Sequence, residues 1–274
     1  MNRSIRIDAR QFGPWALVTG ASSGIGREFA RHLAESGINL VLAARRADLL
    51  DKLGKELADR HDIQYRPAPI DLTDRDAPAD LADATADLDI GLLVSNAGDM
   101  LLGEFLTHDH DALLRELQLN ATAHLSLTRH FAPRLLQRAR GGILLVSSMA
   151  GLQGVPYAAN YSAAKAYVLV LGEAVHRELA PHGVHVTVLV PGATRTPMTA
   201  RFDVDSTPMG RLLMPADACA REGLAALSAN RATRISGRTN RATITLTTRA
   251  VRTRMFGAMN KSMASRAEQH TAPA

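Results

Sequence analysis

The chain has 274 residues, 46% of them hydrophobic and 22% charged, with a formal net charge of +5. These proportions are ordinary for a folded protein, and the length allows one large α/β domain or two small ones. A single cysteine, Cys219, excludes a disulfide framework or a multi-cysteine metal cluster, and the longest apolar runs fall short of the ~18–20 residues that a membrane helix needs.

The first residues lack the apolar core of a signal peptide, so a soluble, cytoplasmic protein is expected. Residues 223–267 hold nine Lys and Arg but no Asp or Glu, which leaves the remainder at 5 − 9 = −4. Such a stretch can serve nucleic acid, an anionic membrane or an acidic partner. A solvated, disordered tail is the expectation, with nucleic acid disfavoured and a membrane surface left open.

In chain order, a short apolar run at 15–18 precedes a Gly/Ser-rich turn and an amphipathic helix closed by Gly37. A second run at 38–44 leads into an Arg-rich turn and a helix over 48–60, and a third strand spans 63–70. The pattern repeats with a strand at 90–95, a helix at 109–138 capped by Thr107, a strand at 143–147, a helix at 160–180 and a strand at 184–190. Near-continuous Val/Leu/Ile runs mark strands buried on both faces. The expected architecture is a single doubly wound Rossmann-type α/β domain over residues 1–248, its parallel sheet flanked by helices on both faces, with a basic extension over 249–274.

The turn TGASSGIG, with Gly20, Gly24 and Gly26, lies between the first strand and the first long helix. Glycines there let the backbone approach a pyrophosphate at the positive end of the helix dipole. At the end of the second strand, where an acid would bind the ribose 2′-hydroxyl of NAD, the chain has Arg45 and Arg46. Guanidinium groups suit the 2′-phosphate of NADP, so NADP(H) is the expected cofactor. Ser23 adds no charge to the turn.

Tyr161 and Lys165 stand at i,i+4 on one helix face, and a neighbouring ammonium is expected to lower the phenol pKa. Ser148, just past the fifth strand, lies on the same sheet edge as the glycine turn, where its hydroxyl can meet a carbonyl substrate.

Together these motifs resemble the short-chain dehydrogenase/reductase family over roughly residues 13–200, in order and spacing: TGASSGIG, Asp71-Leu72, Asn96-Ala97-Gly98, Asn120, Ser148 in SSMAG, YSAAK, and PGATRT from Pro191. A looser similarity links the chain to bacterial ketoacyl-reductase-like members. The resemblance implies Tyr161 as acid/base, Lys165 holding the nicotinamide ribose and tuning the tyrosine, Ser148 orienting the substrate oxygen, and Asn120 anchoring a water-linked proton relay. It places cofactor contacts at Gly20, Ser22, Ser23, Gly24, Ile25, Gly26, Arg45 and Arg46, at Asp71 and Leu72 around the adenine, and at Asn96, Ala97 and Gly98 on the nicotinamide side. It adds Pro191, Gly192, Thr194 and Thr196, together with Asn120, Tyr161 and Lys165, and implies a homodimer or homotetramer built on paired helices.

The expected reaction is NADPH-dependent reduction of a carbonyl to a secondary alcohol. Two readings stay open beside it: an alcohol dehydrogenase working oxidatively, and a non-catalytic NADP sensor acting through its basic tail. The substrate is expected to be apolar, because residues 99–102, 152–157 and 193–215 bring Met198, Phe202, Met209, Leu212 and Met214 near the site. The run His108-Asp109-His110-Asp111 reads as a helix start, so no metal is expected. Cys219 reads as a packing residue.

Overall fold

The computed structural model describes residues 6–204, 210 and 213–271, with side chains as far as 265. Met209 and Leu212 of the expected lid lie outside the described residues. After a short helix α1 (Ala9–Phe12) come β1 (Trp15–Thr19), α2 (Gly24–Glu35), β2 (Asn39–Ala44), α3 (Ala47–His61), β3 (Tyr65–Pro69), α4 (Ala77–Asp83) and β4 (Ile90–Ser95). Next are α5 (His110–Leu117), a π-helical turn (Gln118–Thr122), α6 (Ala123–Arg138), β5 (Gly141–Val146), α7 (Ala159–Leu179) and β6 (Val184–Val190). The last part contains β7 (Thr194–Arg195), α8 (Pro197–Arg201), β8 (Met214–Pro215), α9 (Ala216–Ser228), β9 (Thr233–Ile235), α10 (Arg238–Leu246) and α11 (Arg249–Thr271).

Seven strands form one parallel sheet in the order β3-β2-β1-β4-β5-β6-β9. Successive strand residues point to opposite faces, so each strand supplies both apolar layers. Val18, Leu40, Leu42, Leu92 and Leu144 meet Phe29 and Leu33 of α2, Leu50 and Leu57 of α3, and Leu224 of α9. The intervening Leu17, Val41, Leu93, Ile143 and Leu145 meet Leu81 of α4, Leu127 and Phe131 of α6, and Val168 of α7. Each such buried Leu, Val or Phe contributes about 1.5–3 kcal/mol, which explains why uninterrupted apolar runs form the inner strands. The expected doubly wound sheet is present.

The structure differs from the sequence reading in five places. The third strand covers Tyr65–Pro69 rather than 63–70, and its prolines at 67 and 69 are tolerated because β3 is the sheet edge. A seventh strand, β9, went unpredicted, being three residues long with Ile235 as its one aliphatic side chain. The N-cap of α5 is Asp109, whose carboxylate accepts from Ala112 N at 3.0 Å; Thr107 ends a preceding 3-10 turn. The helix expected over 109–138 is interrupted by the π turn around Asn120.

The fifth difference is the tail. Rather than a solvated strand of chain, α11 packs on the body of the protein: Asn260 and Met263 are buried, and Gly257 approaches Pro156 closely enough that a Cβ there would lie 2.9 Å from its ring. Arg252 donates to Gln153 Oε1 (2.9 Å) and to the carbonyls of Ile244 and Thr247, while Glu222 accepts from Arg234 and Arg241. Several of the nine positive charges therefore brace local structure. Among the described residues no helix is long and apolar enough to cross a membrane.

Candidate active site

The turn TGASSGIG joins β1 to α2 at the carboxyl edge of the sheet, beside the β1–β4 boundary where the strand order reverses. The turn is braced from behind. Thr19 Oγ1 accepts from the backbone N–H groups of Asn96 (2.9 Å) and Ala97 (3.0 Å), and Asn96 Nδ2 donates to Thr19 O at 3.0 Å. A Cβ on Gly26 would lie 2.3 Å from Gly20 O and 2.6 Å from Asn96 Nδ2, so α2 reaches this closeness only with glycine. The side chain of Asn96 thus faces the back of the glycine turn.

Several features fit a dinucleotide. Ser23 sits at the N-cap of α2, yet its side chain makes no capping bond, which leaves the first N–H groups of the helix for an anion. Arg46 Nη2 donates to Ser22 Oγ at 3.0 Å, which brings its guanidinium to the turn, and Arg45 Nη1 lies 3.9 Å from Asp71 Oδ2 after β3. Thr196, the N-cap of α8, closes the other side, with Cγ2 3.2 Å from where a Cβ on Gly24 would be. Thr194 Oγ1 donates to Gly192 O, and Pro191 O accepts from Met149 N. The side chains of Ile25 and Leu72 pack on the two apolar layers, which leaves their backbone groups to face the turn and the end of β3.

Ser148, Tyr161, Lys165 and Asn120 come together next to this cradle. Ser148 follows β5 and lies close enough to the Tyr161 phenol to favour its ionised form; its Oγ accepts from Ala150 N at 3.1 Å. Lys165 is buried, its Nζ 5.8 Å from the Tyr161 ring centroid and donating to Val146 O at 3.1 Å. The π turn frees Asn120 Nδ2 to donate to Asp99 O (2.7 Å) and Glu116 O (3.0 Å), while its buried Oδ1 has no hydrogen-bond partner among the described residues. A Cβ on Gly98 would lie 2.7 Å from that Oδ1 and 3.1 Å from Lys165 Nζ, so glycine keeps these groups in communication.

The electrostatics reverse the sequence expectation for the tyrosine. Burial pushes the Tyr161 phenol up to about 12, against a smaller lowering by Ser148 and with Glu116 and Asp99 adding to the rise. Burial likewise brings Lys165 down to about 7, with Glu116 opposing. Loss of hydration disfavours the charged form of each and is the largest influence on both. At neutral pH the phenol is protonated, and with Ser148 it presents two hydroxyls able to hold and protonate a carbonyl oxygen.

Four supporting residues escaped the sequence reading. Ser147 Oγ donates to Lys165 O at 2.7 Å. Ser95 Oγ lies 2.8 Å from His124 Nδ1, and His124 Nε2 lies 3.2 Å from Ala97 O. Burial holds the imidazole pKa well below its ordinary value. Because a carbonyl only accepts, the neutral ring carries its proton on Nε2 and accepts from Ser95. Its position four residues after Asn120 was the available signal. The fourth residue, Glu116, lies four residues before Asn120 and is buried.

An apolar wall joins the loop after β4, the region following α8, and α11. Val204, Leu213 and Met263 are buried together with Leu102, Ala193, Phe202 and Met259 against them, so α11 joins the expected pocket segments. Arg201 ties α8 to the opposite loop through a bidentate contact with Asp99 and a bond to Met100 O. Met214, expected here, packs instead against the α2 layer. Burial pushes the Cys219 thiol up to about 11, in keeping with a packing role.

Residues 14–206 match the family described as short chain dehydrogenase. A very-long-chain 3-oxoacyl-CoA reductase of Neurospora crassa is 38% identical over 192 residues, covering 68% of this chain and 58% of that protein, so the chain spans little more than half the length of this relative. A 7beta-hydroxysteroid dehydrogenase of Clostridium sardiniense is 29% identical over 187 residues, covering 68% of this chain and 72% of its own. Among solved structures, a short-chain dehydrogenase from Sphingobium yanoikuyae in complex with NADPH is 32% identical with a TM-score of 0.76, covering 81% of this chain and 87% of that one. A 7beta-hydroxysteroid dehydrogenase structure superposes with a TM-score of 0.85 at 25% identity, covering 92% and 99% respectively.

Proposed function

The chain belongs to the short-chain dehydrogenase/reductase family of oxidoreductases, and on that premise we propose that it reduces a carbonyl of an apolar small molecule to a secondary alcohol with NADPH. The observation that carries this reading is the joining of the Ser148 and Tyr161 hydroxyls above buried Lys165, beside a glycine turn shaped for a pyrophosphate. When bound, NADPH supplies the hydride for the carbonyl carbon. The turn at Gly20 to Gly26 and the start of α2 would hold its pyrophosphate, with Lys165 at the ribose.

Ser148 and Tyr161 hold the substrate oxygen, and Tyr161 gives it the phenolic proton. Asn120 Oδ1 faces the Lys165 ammonium across Gly98 and completes a route by which a proton returns to Tyr161 through water. A phenol that stays protonated at neutral pH is in the form that carbonyl reduction consumes. The wall of Leu102, Phe202, Val204, Leu213, Met259 and Met263 supports an apolar substrate. A screen of propiophenone, cyclohexanone and a β-oxoacyl thioester, following NADPH absorbance with Tyr161→Phe as blank, tests the reading; no turnover of any carbonyl would remove it.

Arg45 and Arg46 carry the cofactor preference. NADPH is expected to bind at least about tenfold tighter than NADH, the worth of one charge-assisted contact to the 2′-phosphate. Arg46→Asp should narrow that gap, because it removes the cation that donates to Ser22 and places a negative charge beside the phosphate. Equal affinities in the parent protein, by fluorescence titration, would refute the assignment.

The reading includes a homodimer or a dimer of dimers. Leu127, Val168 and Leu179 of α6 and α7 lie inside the subunit. Leu114 (50% exposed), Leu117, Leu125, Tyr167 and Val170 (65%) remain outward on α5, α6 and α7. A twofold contact would cover them and steady the helix bearing Tyr161. Light scattering at micromolar concentration should give at least twice the 29.4 kDa chain mass; a monomer would contradict it.

A further inference from the structure

Glu116 is a buried carboxylate with no place in the proton route described above, yet it joins three segments of the site. Its Oε1 accepts from Leu101 N at 2.7 Å, which fixes the loop after β4 that runs along the substrate side. Its Oε2 accepts from Asn160 Nδ2 at 2.7 Å, and the same Asn160 nitrogen donates to Leu113 O at 2.9 Å, so the first turn of α7, one residue before Tyr161, is tied to α5. Its own carbonyl accepts from Asn120 Nδ2 at 3.0 Å. One residue thereby contacts the substrate loop, the start of the catalytic helix and the amide of Asn120.

We propose that Glu116 is a positioning residue whose carboxylate sets the spacing of Asn120 and Tyr161 against the substrate loop and whose charge acts on Lys165. The inference rests on the reading of Tyr161, Lys165 and Asn120 as the proton-transfer groups. A carboxylate taken out of water is costly unless it is hydrogen-bonded, and here two strong donors on two different segments supply the compensation. A neutral side chain of the same shape could not accept from both donors through both of its terminal atoms, since one would be an NH₂ group.

The charge has a second consequence. The ionisable groups around this carboxylate are Asp99 on the loop after β4, His108 before α5, and Tyr161 and Lys165 on α7. Burial raises the Glu116 pKa above the ordinary value, while the bonds from Leu101 and Asn160 pull it back. The negative charge opposes the burial that strips Lys165 of its proton and adds to the rise at Tyr161. Removing it should therefore lower the pKa of both. The alkaline limit of reduction, where Lys165 loses its proton, should move toward acid.

The chain has four lysines, Lys52, Lys55, Lys165 and Lys261, so the Lys165 Nζ resonance can be followed by NMR in protein labelled with ¹⁵N-lysine and assigned with Lys165→Arg. In Glu116→Gln, Lys165 is expected to lose its proton at a pH lower by about half a unit or more. NADPH affinity should stay within about threefold of the parent, while kcat for propiophenone falls at least about tenfold and its alkaline limb shifts the same way. An unchanged Lys165 titration would overturn the proposal, as would an unshifted limb with only thermal stability altered. If the parent reduces no ketone, the reductase reading fails and the Lys165 titration alone decides the role of Glu116. Should Glu116→Gln fail to fold, Asn160→Ala keeps the charge and frees the first turn of α7: kcat should fall with Lys165 titrating as in the parent, and an unchanged kcat would refute the positioning.

Discussion

Replacing Tyr161 with phenylalanine is expected to lower reductase turnover by at least ~10²-fold, and up to ~10⁴-fold, while leaving NADPH affinity within about threefold of the parent. The substitution removes one oxygen. Its ring, over which Lys165 Nζ lies at 5.8 Å, is retained, and so is the packing of α7 on the turn that carries Ser148. What disappears is the hydroxyl beside Ser148 that can donate a proton to a substrate oxygen. Ser148 cannot replace it, since a serine hydroxyl does not titrate in the accessible range, and Lys165 is directed to Val146 O. Steady-state NADPH oxidation and a fluorescence titration of NADPH measure the two halves of this expectation. Near-normal turnover by Tyr161→Phe would refute the acid/base role.

Lys165→Met is expected to stabilise the cofactor-free protein at pH 6 by on the order of a few kcal/mol while suppressing turnover. The folded protein holds Lys165 at about 7, against an ordinary value of 10.5. Between those values the unfolded chain binds the proton and the folded chain does not, so stability rises with pH across that interval. Below about pH 7 the folded state must carry a buried ammonium, and the full penalty applies. Methionine removes the penalty, so its advantage is greatest below pH 7, shrinks as pH rises, and vanishes near 10.5. Loss of the donor to Val146 O subtracts about 1 kcal/mol at every pH. Urea unfolding at pH 6 and pH 9 measures the difference, and an equal destabilisation at both would show that Lys165 carries no such burial cost. A gain of this kind would be the familiar exchange of stability for a functional charge in a dry site.

Much of this protein was legible in its sequence because the determining interactions are local or periodic. The runs around Leu40 and Val186 could satisfy neither a one-sided sheet nor a helical stripe, so they required a sheet covered on both faces. The spacing of Gly20, Gly24 and Gly26 between a strand and a helix specified a turn whose backbone can approach an anion. The i,i+4 separation of Tyr161 and Lys165 guaranteed that they share a helix face, whatever that face meets.

Tertiary structure decided what depends on partners distant in the chain. Sequence could not tell that Val168 points inward and Val170 outward, because both belong to one largely apolar helix. Nor could it show that α11 lies against Pro156 and brings Met263 to Phe202, since its basic residues suggested a solvated segment while the apolar face is defined only by what it covers. The protonation states of Tyr161 and Lys165 depend on the fold for the same reason. A sequence reports that two ionisable groups are neighbours, but the cost of removing their water depends on the whole surrounding shell, and here burial is the largest influence on both. Glu116 is the clearest case: along the chain it is one acid on an amphipathic helix, and only the folding of the loop after β4 and the start of α7 onto it turns that acid into a shared acceptor.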